Sequence, residues 1–422
     1  MYKIYNLLWA ISFIILLPWL LINRKSSLGR KFALTDMPET PAEKAVWIHS
    51  LSVGEVISAQ PVIESLKEKY PGKKIILTVK TGQGMEIARS RLAQKVDEIY
   101  FMPLDFRWSL SRLIASINPE IFILVETDIW PGLISLLKKK GIKIILINGR
   151  VSPGTLKGYM RLRFYFRKLL NDIDLLLMQS DLDRNRLIDV GVSPEKMKTA
   201  GNIKFDQDWS PMDKDEFSRW TDVLKMEKDR DIIVAGSTHE GEEAIILNAY
   251  KKLLERMPGL VLIIAPRKTD RAGNICEMSI SMGLSTLKRS DLTGNNNMDY
   301  QVLILDTLGE LGRIYGLGTV SFVGGSMVPI GGHNLLEPAV FGIPVLYGRY
   351  THNFVLMSEL LADAGGGVRV EDEDALFNTF EKILADRELL NKMGENAARF
   401  VKENSGAVTR IIDYLEEYIV PN

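Results

Sequence analysis

Short apolar runs, each about one strand long, recur along this chain with helix-length amphipathic stretches between them, and that alternation leaves few folds open. Up to residue 180 the runs fall at 45–51, 74–79, 98–102, 121–125, 142–147 and 175–178. Runs that are apolar throughout belong to strands buried on both faces, and strands separated by helices pair in parallel. Between 205 and 229 the pattern lapses into charged and turn residues, then restarts at 232–235, 261–265, 302–305, 320–323 and 344–346. At 422 residues the chain also exceeds one ordinary hydrophobic core. The expectation is therefore α/β: two doubly wound, Rossmann-like domains at 40–208 and 209–404, joined near residue 210.

The two ends stand outside this pattern. Residues 5–22 are almost unbroken in apolar character, with Trp9 and Trp19 near the margins. As a helix they would span roughly 27 Å, enough for a bilayer core. Only Lys3 precedes the run, no small-residue cleavage site follows it, and Arg24, Lys25, Arg30 and Lys31 come directly after. An uncleaved membrane anchor at 1–25, spanning the bilayer or lying in its interface, is expected, with the rest of the chain on the cytoplasmic side. At the other end, 406–418 sets Val408, Ile411, Ile412 and Leu415 on one face, so a last helix within 405–422 must pack against something.

Composition removes several classes of function. Lys plus Arg and Asp plus Glu each number 53, and a net charge of zero argues against a general nucleic-acid binder. Cys276 is the only cysteine, and His49, His239, His333 and His352 lack zinc-ligand spacing, so no cysteine- or histidine-rich metal site is expected. The triplets Asp172–Asp174 and Asp181–Asp183 resemble metal-holding Asp-x-Asp motifs, but the second directly precedes a helical stretch, where acids commonly cap. No Walker-type phosphate loop is present.

The densest signal runs from Gly324 to Pro338, Gly-Gly-Ser-Met-Val-Pro-Ile-Gly-Gly-His-Asn-Leu-Leu-Glu-Pro, between the run 319–323 and a helix expected at 334–341. There Gly331 and Gly332 let the backbone approach a phosphate or sugar, beside His333, and Glu337 can accept from ribose hydroxyls; a tight turn capped by Asn334 is the alternative. Glu55 follows a strand and Gly54 at the start of a helix that Pro61 kinks or delays. A carboxylate there either opposes the helix dipole or, aimed into a cleft, takes a proton. Glu126 ends the run 121–125, where Thr127 or Asp128 can cap the next helix, and Lys204 is the one cation in Gly201-Asn202-Ile203-Lys204-Phe205-Asp206. In the second domain Pro266 and Arg267 close the run 261–265, and a guanidinium there can clamp a phosphate. Leu308, Gly309 and Glu310 open a helix after 302–305. Ser237, Thr238, His239 and Glu240 follow the domain's first strand.

Ser52-Val53-Gly54-Glu55, Glu126-Thr127-Asp128-Ile129-Trp130-Pro131, the Gly201–Asp206 stretch and Gly324–Pro338 together resemble the Kdo transferases, in that family's order and over nearly the whole chain, anchor included. The resemblance implies a GT-B glycosyltransferase of the inner membrane that needs no cofactor or metal. It moves 3-deoxy-D-manno-octulosonic acid (Kdo) from CMP-Kdo to a lipid A precursor, lipid IVA, in lipopolysaccharide core synthesis, with inversion. It further implies Glu55 as general base and Glu126 and Lys204 as stabilisers of the transition state. Pro266, Arg267, Leu308, Gly309, Glu310, Asn334, Leu335, Leu336 and Glu337 would bind CMP-Kdo in the second domain, the first domain would take the acceptor, and the last helix would cross back to the first domain. Lys268 departs from the family's Pro-Arg-His pattern.

Residues 157–170 combine Lys157, Arg161, Arg163, Arg167 and Lys168 with Tyr159, Phe164, Tyr165 and Phe166, either a solvated basic helix or a surface set against anionic lipid. Two rival readings stay open: a GT-B enzyme using a UDP-sugar, and an anchored nucleotide-binding protein without catalysis.

Overall fold

The computed structural model describes residues 43–126, 129–206, 212–226, 230–292 and 299–419. The expected anchor at 1–25 lies outside them, and no helix among the described residues is long and apolar enough to cross a membrane. The chain divides into two compact units, one from 1–208 together with 404–422 and the other from 209–403.

Unit one is a seven-stranded sheet of β1 (Ala45–Ser50), β2 (Lys74–Val79), β3 (Glu98–Phe101), β4 (Pro119–Val125), β5 (Lys143–Gly149), β6 (Leu175–Met178) and β7 (Met197–Thr199). The order is β3-β2-β1-β4-β5-β6-β7, and every pairing is parallel. Alternation along each strand divides its side chains between two buried faces. Val46, Ile48, Ile75, Leu77, Ile121 and Ile123 join one core, and Trp47, Ile76, Phe122 and Leu124 join the other. Helices Val53–Lys69, Gly82–Leu92 and Ala407–Leu415 cover the first face. The last of these is fixed by Asp206, whose carboxylate accepts the Gly406 amide at 2.6 Å and the Val408 amide at 2.5 Å. Arg410 adds a bond to the Ala200 carbonyl at 2.7 Å.

Unit two repeats the plan with β8 (Ile232–Thr238), β9 (Val261–Pro266), β10 (Thr286–Lys288), β11 (Val302–Ile304), β12 (Val320–Val323), β13 (Val345–Tyr347) and β14 (Gly367–Arg369), ordered β10-β11-β9-β8-β12-β13-β14 and again all parallel. Strands β8 and β12 meet so closely at their carboxyl ends that a Cβ on Gly324 would lie 2.5 Å from the Ser237 carbonyl oxygen. Only glycine fits there.

Three features differ from the expectation. Strands β7, β10 and β14 are three-residue pieces at the sheet edges, too short to show a period. The helix expected at 334–341 is the single turn Leu336–Ala339: Phe341 and Ile343 both return their amides to the Pro338 carbonyl, at 3.1 and 3.3 Å, and Gly342 turns left-handed with φ 70°. Helix Val53–Lys69 starts before Pro61 and runs through it.

Candidate active site

Crossovers leave β1 and β4 in opposite directions, so the switch point of unit one lies at their carboxyl ends. Ser52 caps helix Val53–Lys69, its Oγ accepting the Glu55 amide at 3.5 Å, and Glu55 turns back so that Oε2 accepts the Leu51 amide at 2.6 Å. This reciprocal capping leaves the Glu55 carboxylate only 6% exposed and holds it against the backbone. From the adjacent strand, Glu126 adopts φ 60°, a left-handed conformation rare outside glycine, and its amide donates to the Ile147 carbonyl at 2.9 Å. Such backbones persist where their surroundings enforce them, and they cluster at functional sites.

Lys204 reaches the same place from far along the chain, its Nζ 3.7 Å from Glu126 Oε1. What delivers it is a 3-10 turn, Ile203–Asp206, pinned at one end by buried Asn148, whose Oδ1 accepts the Ile203 amide at 3.2 Å, and at the other by the contacts of Asp206. Asn148 is itself left-handed, with φ 55°. Lys80 after β2, its Nζ 4.1 Å from the Trp130 ring centre, and Arg150 after β5 add cations to this edge. Buried Asp105 holds the next helix by accepting the Gly132 and Leu133 amides at 2.8 and 2.9 Å. Thr127 and Asp128 lie outside the described residues.

In unit two the switch point lies between β8 and β12. Here a carboxylate of the chain itself occupies the amides at the start of the glycine-rich loop. Glu242, fully buried, accepts the amides of His239 and Gly325 on Oε2 at 2.9 and 2.7 Å and those of Ser326 and Met327 on Oε1 at 2.9 and 2.8 Å. Gly331 and Gly332 both donate their amides to the Gly325 carbonyl, at 3.0 and 2.7 Å. Their part is conformational, with φ 111° and 79°. Asn334 caps the turn that follows, accepting the Leu336 amide at 3.2 Å, and its Nδ2 lies 3.5 Å from Glu337 Oε1. Leu335 is buried beneath it.

Pro266 ends β9, and Arg267 is exposed, its amide bound to the Thr238 carbonyl at 2.9 Å and its guanidinium free of ion pairs among the described residues. Leu308 stands in solvent, 84% exposed, and Gly309 is left-handed at φ 88°. Glu310 is tied to Arg289 at 3.1 Å and to the Thr307 hydroxyl. These three residues form the turn before helix Leu311–Ile314 rather than its first turn. Ser237 carries φ 55°, and buried Thr238 donates to Glu243 at 3.2 Å. His239 and His333 face each other with their Nε2 atoms 2.8 Å apart.

The family model for 3-deoxy-D-manno-octulosonic-acid transferase (kdotransferase) matches residues 26–207. A 3-deoxy-D-manno-octulosonic acid transferase of Haemophilus influenzae is 32% identical over 403 residues, which cover 94% of this chain and 92% of that one. The chain belongs to the Kdo transferase family. It is thereby a glycosyltransferase, and its fold is GT-B-like. UDP-GlcNAc 2-epimerase from Neisseria meningitidis superposes with a TM-score of 0.64, at 15% identity, over 89% of this chain and all of that one. A glycosyltransferase from Rickettsia africae does so with 0.58, at 15% identity, over 90% and 98%. At such identities these two show shared architecture alone.

Within this family member the second carboxylate of each Asp-x-Asp triplet serves the backbone. Asp174 accepts the Ile144 amide at 3.0 Å and Asp183 the Val151 amide at 2.8 Å, while Asp172 pairs with Lys168 at 3.3 Å. No group of three or more metal-ligating side chains occurs among the described residues. Sequence reasoning missed Glu242, Asp105 and Asn148 as organisers. Glu242 sits among Glu240, Glu242 and Glu243 at a helix start, where an acid that points inward looks the same as one that points out.

Proposed function

We propose that this chain is an inverting, metal-independent Kdo transferase carrying Kdo from CMP-Kdo to lipid IVA. The observation that carries the reading is the meeting of Glu126 and Lys204 at the switch point where Glu55 also emerges. Unit one then takes the acceptor, whose phosphates suit the cations Lys80, Arg150 and Lys204. Glu55 removes the proton of the acceptor hydroxyl as that oxygen attacks the anomeric carbon of Kdo, a service worth about 10²–10⁴ in rate. The bond to the CMP phosphate breaks on the opposite side, its electron pair leaving with the phosphate. Lys204, steered by Glu126, balances charge as it develops. Arg267 holds the departing phosphate in unit two, with the turns at 308–310 and 334–337 around the nucleotide.

The acceptor is a membrane lipid, and the chain works from the cytoplasmic side of the inner membrane through its segment 1–25. A second contact supports this reading. Helices Pro153–Arg161 and Arg163–Asn171 meet at a corner where Met160, Leu162 and Phe164 are 42%, 58% and 83% exposed, among Lys157, Arg161, Arg163, Arg167 and Lys168. An exposed apolar tip ringed by cations suits an anionic bilayer.

The test is transfer from CMP-Kdo to lipid IVA by wild type and Glu55→Gln, with and without chelator, followed by product mass, with UDP as competitor beside CMP. Chelator-resistant wild-type activity, lost in a mutant that still binds CMP, is expected. No product from wild type that binds CMP overturns the donor or acceptor, and an active Glu55→Gln overturns the base.

A further inference from the structure

Two loops border the switch point of unit two, and one histidine from each meets across it. The Nε2 atoms of His239 and His333 are 2.8 Å apart, with ring centroids 5.1 Å apart and ring planes within 4° of parallel. The pair is built into the fold. Left-handed Gly325 makes room for both rings, since a Cβ there would lie 2.9 Å from His333 and 3.4 Å from His239, and Glu242 fixes the His239 amide together with the loop at 325–327.

A hydrogen bond between two Nε2 atoms needs one protonated and one bare nitrogen. If both rings are neutral, the donating ring has a bare Nδ1 and the accepting ring carries Nδ1–H. The pair therefore turns one donor and one acceptor outward, and neither Nδ1 has a partner among the described residues. Passing a proton along the pair exchanges the two roles without leaving a charge behind. Glu243, Arg267, Lys268 and Arg271 are the charged groups whose fields reach the pair, and Glu242 holds the His239 amide. Burial, followed by the Arg267 guanidinium and the other imidazole, holds His333 down at about 4, and burial likewise lowers His239, so both rings are neutral near pH 7.

We propose that His239 and His333 relay a proton to the phosphate that leaves with CMP, a step that rests on the transfer reading above. As the bond between the anomeric carbon and the phosphate oxygen breaks, the outward Nδ1–H gives its proton to a phosphate oxygen. Its ring takes the proton shared between the two Nε2 atoms, and the second ring takes one from solvent at its own Nδ1, which the proton that Glu55 took from the acceptor and passes on to solvent makes good. One proton enters from solvent, one reaches CMP, and the pair ends neutral with its tautomers exchanged.

Glutamine can hydrogen-bond at either position but cannot pass a proton along. In the full chain, His239→Gln and His333→Gln should each lower kcat by about 100-fold, leave CMP affinity unchanged, and in combination cost no more than either alone, as expected of groups acting as a unit. A loss of kcat matched by a loss of CMP affinity, or single losses that multiply in the double variant, overturns the relay. Nitrogen-15 spectra of histidine-labelled wild type, with four histidines to resolve, should show one ring protonated at Nε2, its partner at Nδ1, and that Nδ1–H shifting on CMP addition. Two Nε2–H rings, or no shift while CMP binds, overturns it too. A wild type inactive toward CMP-Kdo defeats the transfer reading instead, and the spectra still decide whether the pair faces the nucleotide.

Discussion

Glu242 shows how far one side chain can redirect a loop. Its carboxylate is fully buried and takes four backbone amides, so it already fills the anion-binding concavity that Gly325, Ser326 and Met327 would otherwise offer. Replacing it with glutamine keeps the shape but sets an NH₂ group against amide donors. That should cost about 3 kcal/mol, as a buried charge-assisted contact becomes donor against donor. Thermal unfolding of Glu242→Gln should show a lower transition for unit two, with weaker CMP binding as the loop loosens. Wild-type values of both would mean that the carboxylate does not organise the loop. Glu55 is the counterpart in unit one, where cap and candidate base are the same group: the contact that turns its carboxylate toward Leu51 also fixes where a proton would be received.

Among the elements, the break between helices Pro153–Arg161 and Arg163–Asn171 has the most direct consequence. Leu162 leaves helical geometry at φ −118°, ψ 41°, and so projects the apolar tip, while Tyr159, Leu169 and Leu170 on the inner side are buried. From 150 to 170 the chain has no Asp or Glu, so nothing within the segment offsets its cations, each worth about 1 kcal/mol near an anionic surface. Because residues 1–25 are proposed to hold the chain to any bilayer, the decisive reading is local. An environment-sensitive dye on Leu162→Cys, in full-length protein with Cys276→Ser, should shift its emission to the blue in vesicles containing phosphatidylglycerol and much less in zwitterionic ones. The same emission in both as in water would refute lipid contact at the corner.

For the whole molecule, the chain's return is decisive. Ala407, Val408, Ile411, Ile412, Leu415 and Ile419 belong to the core of unit one, although the whole of unit two lies between them and the rest of that core in sequence. At about 1.5–3 kcal/mol per large buried side chain, they supply roughly 10 kcal/mol, as much as a typical domain's net stability. A chain ending at Glu403 should therefore lose the calorimetric transition of unit one and keep that of unit two. Two intact transitions would show that the tail is dispensable.

The sequence by itself determined the strand-and-helix alternation, the parallel sheets and the chain position of each motif. Continuous apolar runs and their spacing are local properties, and they survive without knowledge of what packs where. The amphipathic face of the last helix likewise required a partner, which periodicity left open and the family resemblance placed in the first domain. Tertiary structure alone decided what the polar side chains do. It set Lys204 beside Glu126, turned Glu242 inward to take the loop amides from any phosphate, spent the Gly331 and Gly332 amides on Gly325, and paired His239 with His333. It also added β7, β10 and β14, whose three residues pair only because a neighbouring strand already presents its edge. The physical reason is common to all of these. A polar group's role is set by the partner within about 3 Å, and residues distant in sequence become such partners only when the chain has folded.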